Sequence, residues 1–251
     1  MQATLQDTRV LLINGARQTG KTTLLKALLE SGHQAEYITL DDVTILQRAK
    51  ADPQGFIRDL TGPVILDEVQ RAPEIFLTIK MAVDEKQQPG QFVLTGSANV
   101  LTLPRLGDSL AGRMEILPLM PLSQGEIEGQ REQFLDWVCG DTFKVRQVPP
   151  LPRAELWHRL IRGGYPEVQG RDSQRGRESW FASYVTALVE RDLRDLSQIR
   201  DLHDFPRLID YLATRSATLL NLSEVSRSVG IQHETLRRYT ALLQAMYLLR
   251  E

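Results

Sequence analysis

The sequence predicts an α/β fold: a five-stranded parallel sheet with helices on both faces, followed by an all-helical second half. Three observations lead there. Short apolar runs recur at Val10 to Ile13, Tyr37 to Leu40, Val64 to Leu66, Phe92 to Thr95 and Met114 to Leu117, with helix-period segments between them. From Ser123 onward such runs vanish, and helical patterns follow at about 123 to 138, 153 to 163, 173 to 197 and 204 to 217. Between the first run and its helix stands the octet Gly15-Ala16-Arg17-Gln18-Thr19-Gly20-Lys21-Thr22, which matches G-x-x-x-x-G-K-[ST].

Each residue type in that octet has a mechanical reason. A loop that wraps phosphates aims successive backbone N–H groups at them and then opens a helix. Gly15 and Gly20 supply backbone freedom, and a side chain at Gly20 would obstruct the approach of the phosphates. Lys21 is expected to place an ammonium on the β- and γ-phosphates, and the Thr22 hydroxyl to join the oxygen shell of a Mg²⁺ ion. Ala16, Arg17, Gln18, Thr19 and Thr23 complete the expected nucleotide contacts. The helix from Thr23 to Glu30 carries Leu24, Leu25, Leu28 and Leu29 at helical spacing and ends at Ser31-Gly32.

The third run, Val64-Ile65-Leu66, ends in Asp67-Glu68, where an open parallel sheet displays its chemistry. With the phosphate loop upstream, Asp67 is read as the metal-holding acid and Glu68 as the base that polarises the attacking water, against a solvated acidic turn. The fourth run leads into Gly96-Ser97-Ala98-Asn99. Ser97 is read as the sensor of the γ-phosphate or attacking water, with Thr95 and Asn99 beside it; a helix N-cap is the alternative. Arg113, before the fifth run, is either a finger reaching a neighbouring subunit's site or a surface or intrachain-paired arginine.

At 251 residues the chain holds one large or two modest domains. A net charge of −2 gives no global footprint for nucleic acid or anionic membrane. The single cysteine, Cys139, excludes an intrachain disulfide and fits a reducing cytoplasm. No apolar run reaches membrane-spanning length and the N-terminus has no signal-like start, so a soluble intracellular protein is expected. His33, His158, His203 and His233 show no metal-ligand spacing with Cys139.

Near the C-terminus, a helix from about Ser223, a Gly230-Ile231 turn and a second helix from about Glu234 to Ala245 read as a helix-turn-helix. Val225, Val229, Ile231, Leu236, Tyr239 and Leu243 form its expected core. Leu248-Leu249-Arg250-Glu251 falls where a winged version would start its first wing strand, so the segment reads as unfinished and the chain as a fragment.

These residues resemble the AAA+ superfamily, and more narrowly the prokaryotic AAA ATP-binding proteins with a C-terminal domain of unknown function. The likeness runs through the phosphate loop, Leu40-Asp41-Asp42, Leu66-Asp67-Glu68-Val69-Gln70, Leu94-Thr95-Gly96-Ser97, Leu110-Ala111-Gly112-Arg113 and Arg162-Gly163-Gly164-Tyr165-Pro166-Glu167. It implies a P-loop NTPase core over residues 1–121, a helical lid over 122–203 and a partial winged-helix segment over 204–251, the last two acting as levers on the nucleotide site. It implies ATP and Mg²⁺ as cofactors, a homo-oligomer, and a lid proline, Pro166, packed on adenine; Arg162 is either a lid arginine on the phosphates or solvent-facing. Family members continue past the winged helix into a further module that this chain is expected to lack.

The leading expectation is an ATPase. The alternative is a nucleotide-gated switch binding DNA or a protein through Gln232, His233, Glu234, Arg237 and Arg238. A small-molecule kinase fits the acid pair less well, and no N-K-x-D tetrad supports a GTPase. The helix from Trp180 to Leu196 is read as a solvated amphipathic helix, with a subunit face as the other reading.

Overall fold

The computed structural model describes residues 1–96, 110–140, 150–189 and 204–250. Strands β1 (Val10–Asn14), β2 (Glu36–Thr39), β3 (Val64–Asp67), β4 (Phe92–Gly96) and β5 (Met114–Pro118) form one sheet in the order β2-β3-β4-β1-β5. Every neighbouring pair is parallel. All five expected strands are present, each within a residue or so of its apolar run.

Strand alternation splits the core in two, because successive side chains point to opposite faces. On one face Val10, Leu12, Val64, Leu66, Phe92 and Leu94 pack against α3 (Val43–Ala51), α4 (Pro53–Arg58) and α5 (Ile75–Lys86). On the other, Leu11, Ile13, Ile65 and Val93 pack against α1 (Gln2–Asp7) and α2 (Lys21–Glu30). The central strands are therefore buried on both faces, whereas β5, at an edge, leaves Ile116 42% exposed. Asp42 and Asp52 start α3 and α4 as N-caps, accepting hydrogen bonds from first-turn N–H groups.

Sheet order positions the site. β4 lies between β1 and β3, so the loop leaving β1 and the acids ending β3 flank the end of β4 at the carboxyl edge of the sheet.

The second half is helical among its described residues. The helix expected over 123 to 138 is two short ones, α6 (Gln124–Ile127) and α7 (Phe134–Cys139). Gly129 at φ 64° takes the left-handed conformation that ends α6, so the chain turns before α7. Then come α8 (Arg153–Arg162), α9 (Pro166–Gln169) and α10 (Gln174–Ala187). Helices α11 (Phe205–Thr214), α12 (Leu222–Val229) and α13 (His233–Ala245) enclose a separate core of Phe205, Leu208, Val225, Val229, Ile231, Leu236, Tyr239, Leu243 and Met246. Gly230 at φ 68° closes α12 and makes the turn of the helix-turn-helix. No helix among the described residues is long and apolar enough to cross a membrane.

Candidate nucleotide site

The loop after β1 is held by its own side chains. The Gly15 N–H donates to Asn14 Oδ1 at 3.0 Å, and the Thr19 hydroxyl donates to the Ala16 carbonyl at 3.0 Å. Lys21, only 5% exposed, folds its ammonium across the loop onto the carbonyls of Gly15 (3.0 Å) and Ala16 (2.7 Å). Gly20, at φ 99° and ψ 17°, is the left-handed N-cap of α2, which aims the N-terminal N–H groups of that helix at the loop's hollow. Gly15 is required for a different reason than the expected backbone freedom. A Cβ there would stand 2.2 Å from the Leu119 carbonyl oxygen, because the chain leaving β5 crosses the loop and the Leu119 N–H donates to Asn14 O at 2.6 Å.

Beside the loop lies the Asp67 carboxylate, 3% exposed and surrounded by hydroxyl donors. Its Oδ2 accepts from the Thr22 hydroxyl at 3.0 Å and the Tyr37 phenol at 2.6 Å, and its Oδ1 accepts from the Thr95 hydroxyl. Burial first, and then the bond to Asp67 and its charge, hold the Tyr37 phenol well above the ordinary tyrosine range. Thr95 also accepts from the Glu68 N–H at 3.1 Å, tying the two strand ends together. Glu68 itself is left-handed, at φ 63° and ψ 43°, and its carboxylate accepts a hydrogen bond from the Gln70 amide. Arg71 in the same turn reaches over to pair with Asp41.

Arg17, Gln18, Gly20, Lys21, Thr22, Thr23, Asp41, Glu68, Pro166, Glu167 and Trp180 line an open cavity of about 560 Å³. The helical half thus closes one wall. Pro166 opens α9, and its Cγ is 4.0 Å from where a Gly20 Cβ would sit. The backbone behind it is clamped: the Leu122 N–H donates to the Gly164 carbonyl at 2.8 Å, and a Cβ on Gly164 would come within 2.2 Å of Leu122 O.

The structure therefore brings Gly15 to Thr23, Asp67, Glu68 and Pro166 together. Ser97 and Asn99 lie outside the described residues. Arg113 is elsewhere, just before β5: Pro118 pairs with Asn14, the last strand residue before the loop, and Arg113 lies five residues back along the strand from it, or about 17 Å. It forks onto Asp84, its Nη2 donating to Oδ2 at 2.9 Å and its Nε to Oδ1. That is the intrachain pairing among the expected alternatives, and it holds the Asp84 carboxyl below its usual range. Arg162 does not reach the loop; its guanidinium donates to the Gln169 carbonyl.

Three contributors were absent from the site read in the sequence. Tyr37 is placed by the register of the folded sheet: Thr39 pairs with Asp67 and Tyr37 with Ile65, so the phenol lies one pleat back on the acid's own face. Trp180 and Tyr184 stack at 5.0 Å on one side of α10 and pack on Tyr165 and Val168. They form the buried stripe of an amphipathic helix whose Ser179, Ala182, Ser183 and Thr186 face solvent, and residues 190–196 of the expected helix lie outside the described residues. The Tyr184 hydroxyl donates to the Arg17 carbonyl at 3.1 Å, so α10 rests directly on the phosphate loop.

Residues 7–128 match the family model of an AAA domain. By that match, this part of the chain is an AAA domain. Over those residues the match agrees with the five-stranded parallel α/β fold and its phosphate loop, the fold of nucleotide-binding P-loop NTPases. Residues 153–251 match a domain of unknown function, DUF8612. Uncharacterized proteins of Mycobacterium bovis and Mycobacterium tuberculosis are each 29% identical over the whole chain, which spans 51% of their length. Among solved structures, the Thermotoga maritima RuvB Holliday junction branch migration motor is similar over 94% of this chain and 79% of its own, at 19% identity and a TM-score of 0.39. A point variant of that motor covers 97% of this chain and 84% of its own, at 17% identity and a TM-score of 0.43.

Proposed function

We propose that this chain is an AAA+ Mg²⁺-dependent ATPase whose nucleotide state moves its helical half. The observation that carries the reading is the Thr22 hydroxyl donating to Asp67 beside a loop already wrapped around Lys21. A threonine that gives its proton to the carboxylate keeps its oxygen lone pairs for a cation, and Asp67 supplies the oxygen acceptor for a metal-bound water. These residues fit a hard divalent ion held jointly with phosphates, and the ion would neutralise phosphate charge when bound.

The chain's own groups do the rest. Backbone N–H groups from Ala16 to Thr22 cradle the phosphates, with Thr23 beside them, and Lys21 places its charge on the β- and γ-oxygens. Glu68 takes a proton from water as it attacks the γ-phosphorus, while the bond to the bridging oxygen breaks and ADP leaves with that electron pair. Ser97 senses the γ-phosphate, and Pro166 packs on the adenine. In a homo-oligomer Arg113 completes the neighbouring protomer's site, exchanging its bond to Asp84 for the transferring phosphoryl group. Residues 122–203 act as the lid and 204–251 as a winged-helix-like lever, in a cytoplasmic protein.

The test is ATP turnover per protomer across protein concentration, with Glu68→Gln as the blank. Turnover that rises with concentration supports sites completed between subunits. Turnover equal to the blank overturns the ATPase.

A second reading, a nucleotide-gated switch that binds DNA or a protein partner, is favoured by one observation: Gln232, His233, Glu234, Arg237 and Arg238 are all exposed at the start of α13. Duplex binding measured against salt tests the DNA form. No affinity at low salt, with or without ATP, removes it.

A further inference from the structure

We propose that Tyr37 is a positioning residue for the metal-holding carboxylate, fixing the one lone pair of Asp67 that stays open toward a metal-bound water. The inference rests on the nucleotide-site reading above and deepens it.

A carboxylate offers roughly four acceptor positions. On Asp67, Thr22 and Tyr37 occupy both positions of Oδ2, and Thr95 occupies one of Oδ1. One remains. The three donors come from three elements, α2, β2 and β4, so together they fix the plane of the carboxyl group as no single neighbour could. Thr22 cannot hold it alone, because in the proposed site its oxygen also faces the cation. Thr95 is already shared with the Glu68 N–H.

Tyr37 gives its one hydroxyl proton to Asp67. Its ring packs against the cluster of Leu11, Ile13, Leu25, Leu28 and Ile65, which anchors it on the α2 face of the sheet. Its hydroxyl reaches one pleat along the strand to Asp67 at 2.6 Å, within the short range of hydrogen bonds to ionised oxygen. A phenol is also a rigid arm, unlike a serine or threonine that turns with its own rotamer.

The experiment titrates Mg²⁺ into the full chain with a fluorescent ATP analogue, for wild type and Tyr37→Phe, and repeats the nucleotide titration in EDTA. Removing one oxygen from a packed ring leaves the cluster filled, and unchanged affinity in EDTA reports an intact loop. Half-saturating Mg²⁺ is expected to rise roughly tenfold in the variant, the size of one hydrogen bond to a charged group, with EDTA affinity within twofold of wild type. Superimposable Mg²⁺ curves overturn the inference, as does an equal loss with and without the metal, which would mean Tyr37 only supports the fold. Wild type that binds no analogue under either condition overturns the nucleotide site itself, and the inference with it.

Discussion

The Tyr184 hydroxyl donates to the Arg17 carbonyl across 167 residues of sequence, joining the helical half to the phosphate loop by a direct bond. Tyr184 is stacked on Trp180 and touches Tyr165, so a shift of the loop backbone is passed to three packed rings. Tyr184→Phe keeps the stack and removes the bond, worth about 1 kcal/mol. Nucleotide affinity is expected to fall about fivefold, read by titration of a fluorescent analogue. A change of less than twofold would show that the loop does not feel α10.

Glu68 and Lys21 should separate chemistry from binding. Glu68→Gln keeps the loop and its phosphate contacts, so it is expected to hold nucleotide at wild-type affinity while turnover drops about 100-fold or more. Lys21→Ala removes the buried ammonium that spans Gly15 and Ala16, and should lose binding first. Steady-state turnover beside equilibrium binding decides it; a Glu68→Gln protein hydrolysing at the wild-type rate would dismiss Glu68 as the base.

The sheet was legible because buried strands must be apolar and short, and Val10 to Ile13, Val64 to Leu66 and Phe92 to Leu94 are nothing else. Lys21, Thr22 and Asp67 were legible because phosphate binding constrains spacing along the chain. Tyr37 and Tyr184 were not, for each acts across space on a residue with which it shares no local pattern. Gly15 was picked for a wrong reason: its need comes from Leu119, a residue whose path past the loop follows from sheet order and not from the motif. The break between α6 and α7 lay in Gly129, which a helical period averaged over many residues passes over.

That correction separates the two loop glycines experimentally. A methyl group on Gly15 meets backbone oxygen at 2.2 Å, which nothing nearby can relieve without moving β5. On Gly20 the nearest atom is 4.0 Å away and the cost is the left-handed conformation alone. Urea unfolding should show Gly15→Ala destabilised by about 3 kcal/mol and Gly20→Ala by about 1 to 2 kcal/mol. The reverse order would mean that the Leu119 crossing yields.

Arg113→Ala tests the fork onto Asp84. The guanidinium holds that carboxyl below its ordinary value, so the folded state binds fewer protons there than the unfolded chain. Its stabilisation is present above the ordinary carboxylate value near 4 and is lost as pH falls through the depressed one. The stability difference between wild type and Arg113→Ala should therefore be constant around pH 6 to 8 and shrink below about pH 4. Chemical denaturation across that range reads it, and a difference that persists undiminished into acid would assign the effect to packing of the arginine stem.

At the alkaline end the sign reverses at Tyr37. Burial and the adjacent Asp67 raise the phenol above its ordinary value, so the folded state keeps a proton that the unfolded chain releases from about pH 10 upward. The bound-proton difference makes stability fall as pH rises through that region. Tyr37→Phe has no proton to lose there, so the wild-type curve should decline toward that of the variant above pH 10 while the two run parallel below about pH 9. Measuring both by urea unfolding, with the released phenolate followed by its ultraviolet absorbance, ties the slope to this residue. Parallel curves throughout would mean that the Tyr37 hydroxyl titrates as it does in the unfolded chain, and that Asp67 exerts no hold on it.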